Sequence, residues 1–462
     1  MGDARWARWS EMTNAAAGHL ALPAGQPPSF AELTAAFARI GVLSFGGPAA
    51  QIALMHRVCV DEKRWIDEDR YLHALNYCML LPGPEAQQLA TYIGWLLHGV
   101  RGGIVAGLLF VLPGLAVIMG LSTLYALYQQ ADLVAGLFFG LKAAVLAVVI
   151  EAVIRIGKRA LKTRFHRILA ALAFLALFAL SLPFPLVILL AAVAGLVRAR
   201  ITPTEDVPAP TNLKARPPAL RQLLTLLFWV AVWLAPLPIL WLLAADTALP
   251  DLYAFFSKMA LVTFGGAYAV LAYVAQVAVE QYQWLKPGEM LDGLALAETT
   301  PGPLVLVLSY VGFLAGFRHG GGLDPLLAGL LGALLTAWAT FIPSFIWIFA
   351  GAPYIERLRG NRLMNAALSA ITAAVVGVIL NLAIWFALHV VFARVGVFER
   401  PLVGPLAPWL NVSLPVPDWT SLDLAALAVA VIAAVMIFRF HQGIGRTLVL
   451  AALLGLALRM LA

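Results

Sequence analysis

The sequence predicts an all-α polytopic membrane protein made of two copies of one helical unit, and three observations carry that reading. Of the 462 residues 62% are hydrophobic and 12% charged, which is about half the charged share of a soluble domain. Apolar runs long enough to cross about 30 Å of hydrocarbon as helices recur from end to end, without the alternation of a barrel strand. The chain also writes one stretch twice. FARIGVLSFGGPAAQ (37–51) returns as FSKMALVTFGGAYAV (256–270), and LLPGPEAQQL (80–89) returns as TTPGPLVLVL (299–308), both at an ungapped offset of 219 residues.

Taken in order, residues 1–29 hold Trp6, Trp9 and three prolines but no apolar core fit for a signal peptide, so they read as a cytoplasmic tail. The first repeat, 30–197, opens with a span over 31–58. It is interrupted at SFGGP (44–48), where glycine permits unusual dihedrals and proline ends the backbone ladder. A charged loop, 61–70, leads to a second span, 71–98, broken near the midplane at Pro82-Gly83-Pro84. Ordinary spans follow at 103–128 and 132–154, then a loop, 155–167, with six Lys/Arg that place it inside. Residues 168–197 carry Pro183 and Pro185 in mid-run with basic loops on both sides. They read as a tight pair of short spans returning to one face, although a single span there would remove the inversion described next.

A cytoplasmic linker, 198–221, and a connecting span within 222–251 precede the second repeat core, 252–400, and the C-terminal spans, 401–462. An odd number of spans then separates the two copies, so equivalent helices cross in opposite directions, as in many secondary transporters. Loop charge agrees: residues 129–131 have no Lys/Arg, whereas the matching loop of the second copy holds Arg357, Arg359 and Arg362. Continuing the alternation gives about 13 spans with the N-terminus inside and an excess of Lys/Arg on that side.

Broken helices at membrane depth are tolerated where the loose backbone lies in protein or lines a wet cavity. Each break also leaves a half-helix N-terminus with free N–H groups and about half a positive charge. Arg39 and Lys258, equivalent under the repeat, add cations, and Ser44, Thr263 and Thr300 offer hydroxyls beside the breaks. This is chemistry for holding an anion. The plainer alternatives are that FGG and PGP only bend helices to make room for neighbours, and that Arg39 snorkels to the interface. Lys142 and Glu151 are nine residues apart in one span, too far to pair, so each requires another partner. Glu85, on the first turn after Pro84, suits a helix cap or a proton carrier; Glu298, before the second PGP, lacks the capping explanation. Gln51, Gln88 and Tyr92 line the faces after the breaks or serve ordinary interhelical bonding.

Net charge of +7 sits in short loops, as a topology signal and not a nucleic-acid footprint. Cys59 and Cys78 have no ligand spacing, the eight histidines form no close pair, and no Walker loop, GxSxG or HExxH occurs. No metal and no cofactor is expected, and an ATP-driven pump or a hydrolase is disfavoured. A membrane enzyme acting on a lipid or quinone, or an anion channel, would also be compatible with the spans.

The pair SFGGPAAQ and LLPGPEAQQLATYIG, with TFGG and TTPGP in a second copy, resembles the chromate transporter family in its long form of two fused halves. The resemblance covers nearly the whole chain. It implies chromate efflux across a bacterial cytoplasmic membrane, with sulfate as competitor or alternative substrate; a homodimer is compatible with it. The motif positions it carries over are Phe45, Gly46, Gly47, Pro48, Pro82, Gly83, Pro84 and Gln88, with Gly265, Gly266, Pro301, Gly302 and Pro303 in the second half. The second half departs from the pattern: Pro48, Gln51, Glu85 and Gln88 become Ala267, Val270, Leu304 and Val307. The first half is therefore expected to make more of the substrate contacts. A proton- or sodium-coupled importer of sulfate or another inorganic anion is the alternative.

Overall fold

The computed structural model describes residues 28–201, 219–264, 267–351, 362–401 and 411–461. The N-terminal tail, most of the 198–221 linker, Gly265, Gly266, Arg357 and Arg359 lie outside the described residues. Helix dominates. In the first copy α1 (Phe30–Leu43), α2 (Gly47–His56) and α3 (Glu68–Cys78) lead to α4 (Glu85–Tyr128), which His98 and Gly99 fold into two arms, 85–97 and 100–128. Then come α5 (Asp132–Ala160), α6 (Arg164–Phe178), α7 (Phe184–Ile201) and the connecting pair α8 (Ala219–Leu234) and α9 (Pro236–Leu243). The second copy repeats the order with α10 (Leu249–Val262), α11 (Ala267–Gln276), α12 (Pro287–Thr299), α13 (Val307–Arg318), α14 (Pro325–Gly351) and α15 (Arg362–Val391). An antiparallel hairpin, β1 (Val395–Pro401) and β2 (Asn411–Pro417), precedes α16 (Leu424–Phe438) and α17 (Ile444–Leu461). Seven helices among the described residues are long and apolar enough to cross a membrane.

Local chemistry explains the boundaries. Ser29 and Glu32 form a capping box that starts α1, and Asp67 accepts from the Arg70 N–H to start α3. The duplication persists in detail well beyond the aligned motifs. A wide π-type turn follows α2 at Arg57–Glu62 and α11 at Val277–Gln281. Arg64 and Gln283, equivalent by the 219-residue offset, both take positive φ (52° and 54°). Trp65 N–H donates to Cys59 O and Trp284 N–H to Ala278 O, each at 2.8 Å. A non-glycine residue at positive φ is uncommon, so two at matched positions mark one inherited backbone.

Two compact units emerge, and each draws on both copies. The first holds residues 1–123, 208–261 and 300–360; the second holds 124–207, 262–299 and 361–462. Within the first unit, Gly103 meets the Phe349 ring and Gly107 the Phe345 ring, so the arm 100–128 and α14 run antiparallel. Trp233 donates to Ala339 O and Trp338 to Val232 O, both at 3.0 Å, which ties α8 along α14. Glycine contacts also zip the hairpins: a methyl group at Gly94 would collide with the Gly102 carbonyl, and one at Gly316 with the Ala328 carbonyl.

The half-helices do not follow the crossings expected from the sequence. None of α1, α2, α3, α10, α11, α12 or α13 exceeds 14 residues, about 21 Å of helix and too short to cross alone. In the first unit α1 starts at the 98–99 fold, where His98 Nε2 lies 2.7 Å from Pro28 O, and reaches Leu109 by Gly41. Yet Tyr77, at the end of α3, donates to Trp347 O near the end of α14 that faces Gly103. Between α1 and α3 the chain has therefore come back toward the end from which α1 set out. In the second unit α12 runs parallel to α5: Asp292 pairs with Lys142, and six residues later Glu298 lies in the electrostatic field of Arg155 and Glu151. The sequence reading ran these two helices in opposite senses.

The 168–197 stretch is two helices joined by a turn at 179–183, packed with α6 parallel and α7 antiparallel to α15. Gly377 lies against Ala170 O and Gly195 against Ala366 O.

Candidate functional site

The first break and the second copy's PGP segment meet inside the first unit. Gly302 N–H donates to Ser44 O at 2.7 Å, and Gln51 Nε2 donates to Gly302 O at 2.6 Å. Gln51 also reaches Ser44 O at 3.5 Å. Backbone groups freed by a broken helix need partners when buried, and here one glutamine from the first copy serves the second copy's break. Gln88 does the same locally, donating to Pro82 O at 2.7 Å. The sequence left both glutamines open to substrate contact or to interhelical bonding; in the structure their amide N–H groups donate to backbone carbonyls. Ser44 is likewise engaged, its hydroxyl donating to Ile40 O at 2.6 Å, so it offers no hydroxyl hydrogen to a ligand.

The breaks differ in accessibility. Pro82, Gly83 and Pro84 are buried, as are Gly302 and Pro303, with Pro301 half-buried. The second PGP packs so closely on the arm 100–128 that a methyl group at Gly114 would collide with Pro301 O. Gly83 and Gly302 take φ of 115° and 92°, which only glycine adopts readily. SFGG, by contrast, is open: Phe45 is 48% exposed, Gly46 is exposed, and a Cβ on Gly47 would meet nothing within 4 Å. Gly46 and Gly47 are both left-handed (φ 84° and 77°) and Pro48 sits in the first turn of α2. No side chain caps that turn. An uncapped, open helix start aims its N–H groups at whatever occupies the space before it.

Arg39 and Lys258 are both exposed and make no ion pair among the described residues. Thr263 and Thr300 are buried, and Gly265 and Gly266 lie outside the described residues. Glu85 is half-buried at the first position of α4. Glu298, 7% exposed, accepts a 2.5 Å hydrogen bond from the Tyr268 hydroxyl. Sequence reasoning missed Ser344 and Gln87, buried beside the first PGP and the arm after it; Gln51 Oε1, Gln87 Oε1, Gln88 Oε1 and Ser344 Oγ make no hydrogen bond among the described residues. Ser344 follows Pro343 in mid-helix, a signal that was available.

The family model described as chromate transporter matches residues 31–196 and 250–458, both copies. The chain belongs to the chromate transporter family. Its members are membrane transporters and not enzymes, and the apolar helices make this chain a multi-pass membrane protein. A chromate transport protein of Pseudomonas aeruginosa is 34% identical over 364 residues, 76% of this chain and 80% of that one. A probable chromate transport protein of Synechococcus elongatus is 26% identical, covering 84% of this chain and 92% of its own. A chromate transport protein of Cupriavidus metallidurans is 28% identical over 75% of this chain and 80% of its own. No solved structure matches the chain. The open first break is backed by hydrogen bonds among Gln51, Ser44 and the second PGP.

Proposed function

We propose that this protein exports chromate from the cytoplasm across the bacterial cytoplasmic membrane, driven by the membrane potential. The observation that carries the reading is the family match over both copies, with relatives described as chromate transport proteins. Charge favours the direction. Moving a dianion outward across 100 mV, negative inside, gains about 4.6 kcal/mol, twice the figure for one charge. Import would work against the same amount and require coupled cations.

The anion is held at the N-terminus of α2, where Gly46 and Gly47 let the backbone approach it and no side chain competes. Arg39 and Lys258, exposed on α1 and α10, attract it from a distance and do not clamp it. Glu85 and Glu298 remain the proton-coupling candidates that the sequence suggested. Sulfate, another tetrahedral dianion, competes at the same place, and a homodimer is the assembly.

The two copies form an inverted repeat, with the N-terminus inside. The antiparallel packing of the arm 100–128 on α14 supports this, since the offset makes them equivalent helices. The half-helices enter and return on one face in each copy, leaving about nine crossings in place of 13. This moves Lys63, Arg64 and Arg70 to the cytoplasmic side, as the positive-inside bias favours.

Purified protein in liposomes tests the reading. Chromate flux that saturates, follows an imposed potential and is inhibited by sulfate is the expected result. Flux that requires an inward proton or sodium gradient would favour the importer, and failure of any oxyanion to move would overturn the transport assignment to this class.

A further inference from the structure

The second unit buries an ionisable cluster that the proposed anion site does not use. Lys142 Nζ on α5 lies 3.1 Å from Asp292 Oδ2 on α12, and the Tyr125 hydroxyl donates to the same oxygen at 2.7 Å. Asp292 is 2% exposed, whereas the Lys142 side chain is 32% exposed. Gly288, one turn before Asp292, leaves the space beside the ammonium: a Cβ there would lie 3.2 Å from Nζ. The second carboxylate oxygen, Oδ1, is buried and has no hydrogen bond among the described residues.

A merely structural ion pair is a poor use of this position. Burying the carboxylate costs about as much as its attraction to the partly exposed ammonium returns, and an apolar pair of the same volume would pack as well. A carboxylate kept permanently ionised at depth would have both oxygens satisfied. Here both donors converge on one oxygen, and the other is left as the place where a proton can reside. We propose that Asp292 is a proton-binding group of the transporter beside the two glutamate candidates, with Lys142 as its exchangeable counter-charge and Tyr125 positioning it. Protonation of Asp292 frees the Lys142 cation, and deprotonation restores the neutral pair, so the local charge changes by one each time.

Other charged groups sit on α12 and on the helices packed against it. On its own helix Glu289 acts on it electrostatically and Glu298 lies six residues further on, while α5 carries Asp132, Glu151, Arg155, Lys158 and Arg159 besides Lys142. Among the other helices packed on α12, α15 carries only Arg362 and His389, and α17 only Arg446 and Arg459, all near helix ends. The 219-residue offset sets His73 at the equivalent place on α3, so each copy has a titratable group there. The proposal rests on the transport reading only for what the proton does; that Asp292 takes a proton stands by itself.

Two measurements test it. A hydrophobic carbodiimide reacts with protonated carboxyls, and peptide mapping of the full-length protein locates the label. Labelling of Asp292 is expected to rise about tenfold per pH unit on the unsaturated limb of its titration, and to rise at neutral pH in Lys142→Met. No labelling of Asp292 between about pH 8 and about pH 5, or labelling unaffected by pH and by Lys142→Met, overturns the site. In liposomes, Asp292→Asn should keep potential-driven chromate flux within about threefold, less than one pKa unit's worth of energy, and lose its response to a pH gradient. An unchanged gradient response overturns the coupling. A wild type that moves no oxyanion refutes the transport reading instead, and leaves the labelling test intact. Should Asp292→Asn not fold, the wild-type and Lys142→Met profiles still decide.

Discussion

Replacing Gln51 by methionine removes a single brace and leaves the space almost filled. In the native structure Gln51 Nε2 donates to Gly302 O at 2.6 Å, and both residues are buried. Methionine has similar volume and no donor, so the Gly302 carbonyl loses its partner, at about 1–3 kcal/mol for a buried orphan. Part is offset, because Gln51 Oε1 has no hydrogen bond among the described residues and its desolvation disappears with it. The net is about 1–2 kcal/mol, a factor of about 5–30 in the population of the braced break. The Gly302 N–H to Ser44 O bond remains, so the segment loosens without detaching. The assay is chromate flux against concentration in liposomes, paired with thermal unfolding in detergent. Half-saturation should rise by that factor with folding retained, and Gln51→Glu should be worse because a carboxylate oxygen would face the carbonyl. Unchanged half-saturation in Gln51→Met would refute the idea that the brace shapes the anion site.

Other expectations are narrower. Gly47→Ala meets no atom within 4 Å, so its effect is the left-handed backbone alone, about 1–2 kcal/mol; anion affinity measured by calorimetry should fall about 5–30-fold. Arg39→Gln and Lys258→Gln should each reduce chromate flux by less than about tenfold, and the deficit should shrink at high ionic strength as exposed charges are screened; a salt-independent loss would restore a direct clamp. Hydrogen bonds from the Thr420 hydroxyl and N–H, and then Arg394, hold the Asp418 carboxyl below its ordinary value. A lowered carboxyl stabilises above its unfolded value, about 3.9, and that contribution is lost as pH falls through the folded value. Proteolysis near the β-hairpin should therefore accelerate in the acid range, and Asp418→Ala should abolish that dependence.

The sequence placed the breaks accurately because glycine and proline act through backbone geometry, which is local. It also anticipated the turn between α6 and α7, where Pro183 follows a basic-flanked apolar run. It did not anticipate the return of the half-helices, since an apolar 14-residue segment has the same composition whether the chain goes on or turns back. The roles of Gln51 and Gln88 stayed open for a related reason: a buried amide is equally suited to a ligand and to a backbone carbonyl, and only the tertiary contact distinguishes them. Lys142 was known to require a partner, but Asp292 lies 150 residues away in the other copy, and no spacing rule reaches that far.

The bond from Gln51 to Gly302 makes the duplication irreversible. The second copy has Val270 where the first has Gln51, so its own broken backbone is satisfied only by a donor on loan from its twin. Two second halves, expressed and paired with each other, would lack that donor at both breaks. Two first halves would retain it. When the chain is divided at the 198–221 linker, the second piece is thus expected never to function without the first, whereas the first is in principle able to do without its fellow.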